Sequence, residues 1–315
     1  MKRFHLCLLA LLLSLLGCKA ETSHSAAGFA CDTVVTVTAY APQDTVDATL
    51  KICADYEALF SKTVEGSDVW NLNHADGKPV EVNPETAALL RLAIEIGEGS
   101  DGAFDVTIAP VSALWDFAAN DPAVPDADAL RASAALVDYR NVVIDGNTVT
   151  LRNGAQIDLG GIAKGYIADR VAEYLRDQGV ASACINMGGN VVTIGTKSDG
   201  SLWTVGIRDP NGTADQSEEV LKLGGAAVVT SGNYERFFEI DGVRYHHILD
   251  PDTGMPVSNG LASVTIIGTR SDLCDALSTA CFVLGEKGSE PLLDRYGVRA
   301  IFLYSDGTRT TYPTE

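Results

Sequence analysis

An α+β fold is predicted by two features of this 315-residue chain. Short alternating apolar segments crowd the second half, and amphipathic helical segments interrupt them without the regular strand–helix–strand rhythm of a doubly wound sheet. A third feature bears on organisation: from about residue 29 onward there is no Pro/Ser-rich linker, low-complexity tract or internal repeat, which fits one large domain or two closely joined ones.

The amino terminus is read apart from the fold. Met1, Lys2 and Arg3 precede an apolar run over 6–16 that closes on Leu15-Leu16-Gly17-Cys18, the pattern of a secretory signal peptide over 1–17. Small Gly17 suits a peptidase and Cys18 offers a thiol for diacylglyceryl attachment, as in a lipobox; an ordinary cleaved leader with an incidental cysteine is the plainer alternative. Small polar residues then predict a tether, so lipidated Cys18 and spacer occupy 18–28 and the folded body 29–315. The expected address is exported, anchored by lipid to a bacterial membrane on its periplasmic, extracytoplasmic side.

Within the body, residues 33–40 set Val34, Val35 and Val37 among threonines, as a strand does. The stripe Val46, Leu50, Cys53, Tyr56, Leu59 and Phe60 predicts a helix over 44–60, with further helices over 84–96 and 126–136. Strands follow over 142–144, 148–151, 191–194, 203–207, 226–230, 237–240 and 263–267, with helices over 164–178 and 272–284. Asp145-Gly146-Asn147, Asp241-Gly242 and Asp306-Gly307 carry the turn chemistry of hairpins.

Composition narrows the function. Asp and Glu number 42 against 23 Lys and Arg, for a net charge of −19. A field of that sign repels nucleic-acid backbones and leaves an anionic substrate needing a cation as intermediary, which a bound metal would supply locally. Beyond Cys18 the body holds Cys31, Cys53, Cys184, Cys274 and Cys281 without a CxxC pair or zinc-type spacing. Buried free thiols are expected rather than a disulfide framework.

Four segments could carry chemistry. Ile157-Asp158-Leu159-Gly160-Gly161-Ile162-Ala163-Lys164-Gly165 leaves a strand, passes paired glycines and enters a helix, which serves a tight connection as well as it serves phosphate binding at helix N–H groups. On the 272–284 helix Asp275 and Thr279 are i,i+4 neighbours, a carboxylate and a hydroxyl suited to Mg2+; a solvated helix face is the alternative. His246 and His247 alternate on a strand, so only one of them can face a site, to bind flavin or diphosphate or shuttle a proton; a satisfied packing histidine is the alternative. Gly102-Ala103-Phe104-Asp105 joins an aromatic ring to an acceptor, as heterocycle recognition or core anchoring requires.

Taken in order, six motifs resemble the FAD:protein FMN transferase family, also called ApbE. They are residues 102–110, residues 157–165, Asn186-Met187-Gly188-Gly189, Thr230-Ser231-Gly232-Asn233-Tyr234, His247-Ile248-Leu249-Asp250-Pro251 with Thr253-Gly254, and Asp275-Ala276-Leu277-Ser278-Thr279-Ala280. The resemblance implies an ApbE-like, T-fold-related flavin transferase architecture over 29–315. It implies Mg2+ held by the carbonyl of Ala163, the carboxylate of Asp275 and the hydroxyl of Thr279. It implies FAD contacts from Ala103, Phe104, Asp105, Gly160, Tyr166 and His247, with Cys31 standing where the family carries a flavin-contacting methionine.

The implied activity is Mg2+-dependent transfer of FMN from FAD to a Thr or Ser hydroxyl of an acceptor protein, a redox-pump subunit or exported electron carrier, with AMP leaving. His247 is the candidate for proton removal or diphosphate orientation, Asp275 for the catalytic metal, and Asp105 for heterocycle recognition. Two other readings stay open on the sequence: an FAD pyrophosphatase giving FMN and AMP, and a non-catalytic flavin-binding lipoprotein.

Overall fold

The computed structural model describes residues 22–210, 212 and 216–314. The expected signal peptide and Cys18 lie outside these residues. The centre is an eight-stranded antiparallel sheet, in the order β1-β2-β6-β7-β10-β13-β14-β15. Its strands are β1 (His24–Ala30), β2 (Thr33–Ala39), β6 (Ala183–Met187), β7 (Asn190–Ile194), β10 (Ala227–Gly232), β13 (Leu261–Gly268), β14 (Arg299–Tyr304) and β15 (Arg309–Tyr312).

Period-2 alternation sends side chains of the central strands into two separate cores. From β10, β13 and β14, Ala227, Val229, Val264, Ile266, Ala300 and Phe302 face the larger core. The alternate residues Val228, Ile267, Ile301 and Leu303 face a smaller one with Val205, Ile207 and Leu221. Those three come from the hairpin of β8 (Trp203–Arg208) and β9 (Ser217–Leu223). Covered on both faces, β13 is buried along all of its length but Gly268.

The larger core is roofed by three long helices: α1 (Gln43–Phe60), α6 (Ala163–Asp177) and α7 (Ser271–Tyr296). To one side lie α2 (Asp68–Asn73), α3 (Pro84–Gly99) and a three-stranded sheet of β3 (Val80–Glu81), β4 (Val142–Asp145) and β5 (Thr148–Leu151). Short α4 (Ala109–Ser112) and α5 (Ala127–Ala134) join the hairpin of β11 (Phe237–Ile240) and β12 (Val243–His246) around the rings of Trp115 and Phe238, each stacked on Tyr245.

The structure departs from the expected elements in three instructive places. Residues 24–28, expected as tether, belong to β1, which pairs in full register with β2 through a turn with Cys31 and Asp32 at φ 52° and 56°. At Gly28 the smallness that reads as a spacer serves packing: a Cβ there would lie 3.3 Å from Leu50 Cδ1 of α1. Strand β6 was unexpected, because its apolar residues alternate only briefly before the Gly188-Gly189 turn. Helix α7 runs past the expected end at 284, with a break at Gly285 (φ 71°) where two helical stretches join.

Candidate active site

The site is built on the crossing of α6 and α7. A Cβ at Gly165 would lie 2.2 Å from the Ser271 carbonyl oxygen and 2.7 Å from Asp275 Cβ, so glycine alone permits this approach. At that point the Gly165 amide, in the first turn of α6, donates to Asp275 Oδ2 at 2.8 Å. The reverse contact is made one turn along, where the Asp272 amide at the start of α7 donates to Asp169 Oδ2 at 2.9 Å. Each helix thus lends a carboxylate to the unsatisfied N–H groups of the other. Arg270 in turn holds the Asp272 carboxylate with two hydrogen bonds, at 3.0 and 2.7 Å.

Asp275 is 3% exposed, so it does not belong to a solvated helix face. Its Oδ1 lies 3.9 Å from Lys164 Nζ, and Lys164 also donates to the Gly160 carbonyl at 3.2 Å. From 271 to 280, Thr279 is the residue of α7 that reaches partial exposure while its neighbours are buried. Its hydroxyl stands 3.3 Å from Ser231 Oγ, which also pairs with Ser278 Oγ at 2.7 Å. A Cβ on Gly161 would lie 3.6 Å from Thr279 Oγ1 and 3.1 Å from Phe104 Cε2. Gly161, Thr279 and Phe104, drawn from three motifs, therefore meet at one point. Ala163 opens α6 beside them.

The glycine turn is held from beneath. Asp158 Oδ1 accepts from the Gly160 amide at 2.9 Å, while Oδ2 accepts from Lys62 Nζ at 2.6 Å and Ser112 Oγ at 3.1 Å. Lys62 also donates to Ser112 Oγ at 2.9 Å. Burial works to raise the Asp158 carboxyl, but the Lys62 ammonium outweighs it and holds the group below the usual carboxylate range. The Asp158 amide donates to the Val106 carbonyl at 2.8 Å, which fixes this turn against the 102–110 loop.

In that loop Asp105 works inward. Its Oδ1 accepts from the Thr107 amide and hydroxyl at 2.7 and 2.6 Å, and Oδ2 accepts from the Tyr139 amide at 2.8 Å. Burial nonetheless pushes its carboxyl upward, against these hydrogen bonds. Both oxygens are occupied in shaping the loop, and Phe104, not Asp105, makes the contact with the glycine turn. Ala103 sits half-buried between them and the Ser100 carbonyl that its amide reaches.

The two adjacent histidines divide as strand geometry requires. His246 is buried, with Nε2 3.0 Å from the Val257 carbonyl and its ring against Phe282. His247 leaves β12 with its amide on the Arg236 carbonyl at 3.1 Å and its ring exposed. Desolvation by surrounding protein, then the charges of Arg236 and Lys164, push its imidazole down to about 4. The ring stays accessible, so water in the open site screens part of the desolvation, while the two cations act in the same direction. Lys164, held at Asp275 and Gly160, thus acts on His247 through its charge. Its charge also reaches Cys31, whose thiol burial pushes up to about 12, helped by Glu57. Cys31 is thus an unreactive thiol, its amide bound to Glu57 Oε1 at 2.9 Å.

Tyr166 turns the other way. Its ring packs edge-on to Tyr56 and Phe60 and its hydroxyl donates to Glu85 Oε2. The expectation that its side chain lines the flavin site is not met by this orientation; the residue locks α6 to α1. Lys62, Ser112, Ser231 and Arg236 were not singled out from the sequence. Of these only Ser231 lay in a quoted motif, and the others come from segments with no pattern of their own. Two hollows elsewhere, one lined by Asn73, Asp76 and Gln156 and one by Tyr56, Glu85 and Arg170, contain neither Asp275 nor the glycine turn.

The model of the ApbE family matches residues 31–302, a span that contains every site residue named above. The chain belongs to the ApbE family. Among ApbE relatives, a FAD:protein FMN transferase of Klebsiella pneumoniae is 43% identical over 253 residues, covering 79% of this chain and 78% of that protein. One from Treponema pallidum is 41% identical over 268 residues, covering 79% and 74%. The crystal structure of the ApbE protein of Thermotoga maritima superposes with a TM-score of 0.85 at 36% identity, covering 92% of this chain and 96% of that one. The mixed α+β architecture expected from the sequence is thus the ApbE fold.

The donor set at the crossing suits a hard cation only in part. Among the described residues no three His, Cys, Asp or Glu side chains converge on a metal-sized point. Asp275 Oδ1, Thr279 Oγ1 and a main-chain carbonyl at the start of α6 are oxygen donors of the kind Mg2+ takes, with its remaining positions left to phosphate and water. Asp275 keeps Oδ1 for this because Oδ2 is committed to the Gly165 amide.

Proposed function

We propose that this chain is an FAD:protein FMN transferase that moves FMN from FAD to a Thr or Ser hydroxyl of an acceptor protein, releasing AMP. The observation that carries the reading is the meeting of Asp275, Thr279 and the Gly160-Gly161 turn at the α6–α7 crossing, in a chain of the ApbE family. A Mg2+ held by the Ala163 carbonyl, Asp275 Oδ1 and Thr279 Oγ1 would neutralise charge at the substrate's diphosphate.

The chain's own residues supply the rest. Paired glycines at 160 and 161 let phosphate approach the backbone closely. Phe104 walls the turn at a distance suited to an apolar ring edge. His247, neutral through the physiological range, offers a ring nitrogen to the acceptor hydroxyl. As the hydroxyl oxygen bonds to the FMN-side phosphorus, its proton passes to His247, and the bond to the AMP oxygen breaks in line. Arg236 and Lys164 draw an anionic substrate into an otherwise acidic molecule.

The leader, lipobox-like Leu15-Leu16-Gly17-Cys18 and acidic body support an exported protein held at the membrane surface, where flavinylated redox carriers would be its acceptors. No helix among the described residues is long and apolar enough to cross a membrane. The test is to incubate residues 22–315 with FAD, Mg2+ and an acceptor, following AMP release and acceptor mass together. Equimolar AMP and an FMN-sized mass gain support transfer; AMP from an unmodified acceptor would instead indicate hydrolysis.

A further inference from the structure

The ammonium of Lys164 stands between two oxygens of the kinds a divalent cation would take. Nζ lies 3.9 Å from Asp275 Oδ1 and donates to the Gly160 carbonyl at 3.2 Å. The Asp275 side chain is 4% exposed and that of Lys164 26%, so the carboxylate is the buried member and the ammonium the movable one.

We propose that Lys164 is a built-in counter-ion that holds the metal's place at Asp275 and is released to the substrate's diphosphate when metal and FAD bind. The proposal rests on the metal reading above. A buried carboxylate without compensating charge is costly, and Lys164 compensates it in the metal-free protein. An ammonium and a divalent cation at the same oxygen repel, so metal entry expels the ammonium. Its flexible four-carbon stem lets it swing on an anchored backbone. The open side of the site already feels its charge, at His247 and at Cys31. A diphosphate on the glycine turn gives the displaced ammonium a new partner. Metal alone therefore binds against Lys164, and metal with FAD binds with its help. By linkage each ligand strengthens the other to the same degree.

The experiment is a titration of Mn2+, read by its EPR signal, into wild-type protein and Lys164→Met, each with and without FAD and without acceptor. Lys164→Met should bind Mn2+ in the absence of FAD roughly fivefold more tightly than wild type, the equivalent of one partly exposed ion pair. The strengthening of Mn2+ binding by FAD should shrink in that variant, and Lys164→Arg should restore wild-type behaviour. Lys164→Gln serves as a second uncharged variant, with circular dichroism to verify the fold. Unchanged or weaker Mn2+ binding in folded, uncharged variants overturns the proposal. Absence of Mn2+ binding to wild type, with or without FAD, would instead overturn the metal reading beneath it.

Discussion

The amide of Gly165 donates to Asp275 across the α6–α7 crossing at 2.8 Å, and this one bond joins the glycine turn to the acidic helix. Asp275 is thereby fixed by one oxygen and left with the other turned towards Lys164. Position and chemistry are thus set by the same side chain. A glycine is needed because no Cβ fits against Ser271 and Asp275.

Replacing that glycine should therefore act on stability and activity together. In Gly165→Ala the added carbon meets backbone at 2.2 Å, and the helices must part. A loss of about 1–3 kcal/mol is expected, as for other overpacked cores, with transfer falling further than the loss of folded protein accounts for. Thermal unfolding and a rate normalised to folded protein would check this. Unaltered melting and rate would show that the crossing is looser than described.

Asp158 should matter through the turn it supports. Asp158→Asn weakens the grip of Lys62 and Ser112 beneath Gly160, and loss of a charged hydrogen bond costs about 1.5–3 kcal/mol. The pH dependence has a definite sign. Because the folded carboxyl lies below its ordinary value, its stabilisation is present above the unfolded pKa and is lost as pH falls through the folded one. Denaturant melts of wild type and variant should differ at pH 7 and converge in strong acid. A constant difference across pH would contradict the ionic account.

Asp169 should behave in the opposite sense. Burial raises its carboxyl from 3.8 to about 6, with the Asp272 carboxylate adding to the rise against the Asp272 amide's hydrogen bond. The folded state therefore holds the proton more tightly than the unfolded one, and this group costs stability as pH climbs from about 4 to 6. Asp169→Asn, which keeps an acceptor for the Asp272 amide, should gain stability relative to wild type over that interval. Parallel curves would show that Asp169 does not titrate there.

His247 provides a kinetic test. With the imidazole held below its ordinary value of 6.5, kcat/KM for FAD should show no histidine inflection near 6.5 and should fall only at more acid pH. His247→Gln should lower kcat by roughly 100-fold, the usual range for a positioned proton acceptor. An inflection near 6.5 that disappears in the variant would mean that neither burial nor the charges of Arg236 and Lys164 depress this ring.

The sequence exposed those parts of the site that are local in the chain. Asp275 and Thr279 lie on one helix face, the paired glycines lie between strand and helix, and only one of His246 and His247 could face outward. What stayed hidden depends on meetings between distant segments. Lys62 follows the end of α1 and Ser112 ends α4, yet both close on Asp158. Nothing in either neighbourhood marks it. Tyr166 belongs to a motif, but the direction of its ring follows from Tyr56 and Phe60 on another helix. Strand β1 was hidden for a different reason: its small residues, of which Gly28 lies close against Leu50, read like a spacer.

The measurement that bears most directly on the central claim compares wild type with Asp275→Asn, which can retain the hydrogen bond from Gly165 while losing the charge. AMP release and acceptor mass would be followed with and without Mg2+. The account predicts equimolar AMP and flavinylated acceptor for wild type with Mg2+ only, and a loss of about 100-fold or more in the folded variant. Undiminished, still Mg2+-dependent transfer by Asp275→Asn would contradict it.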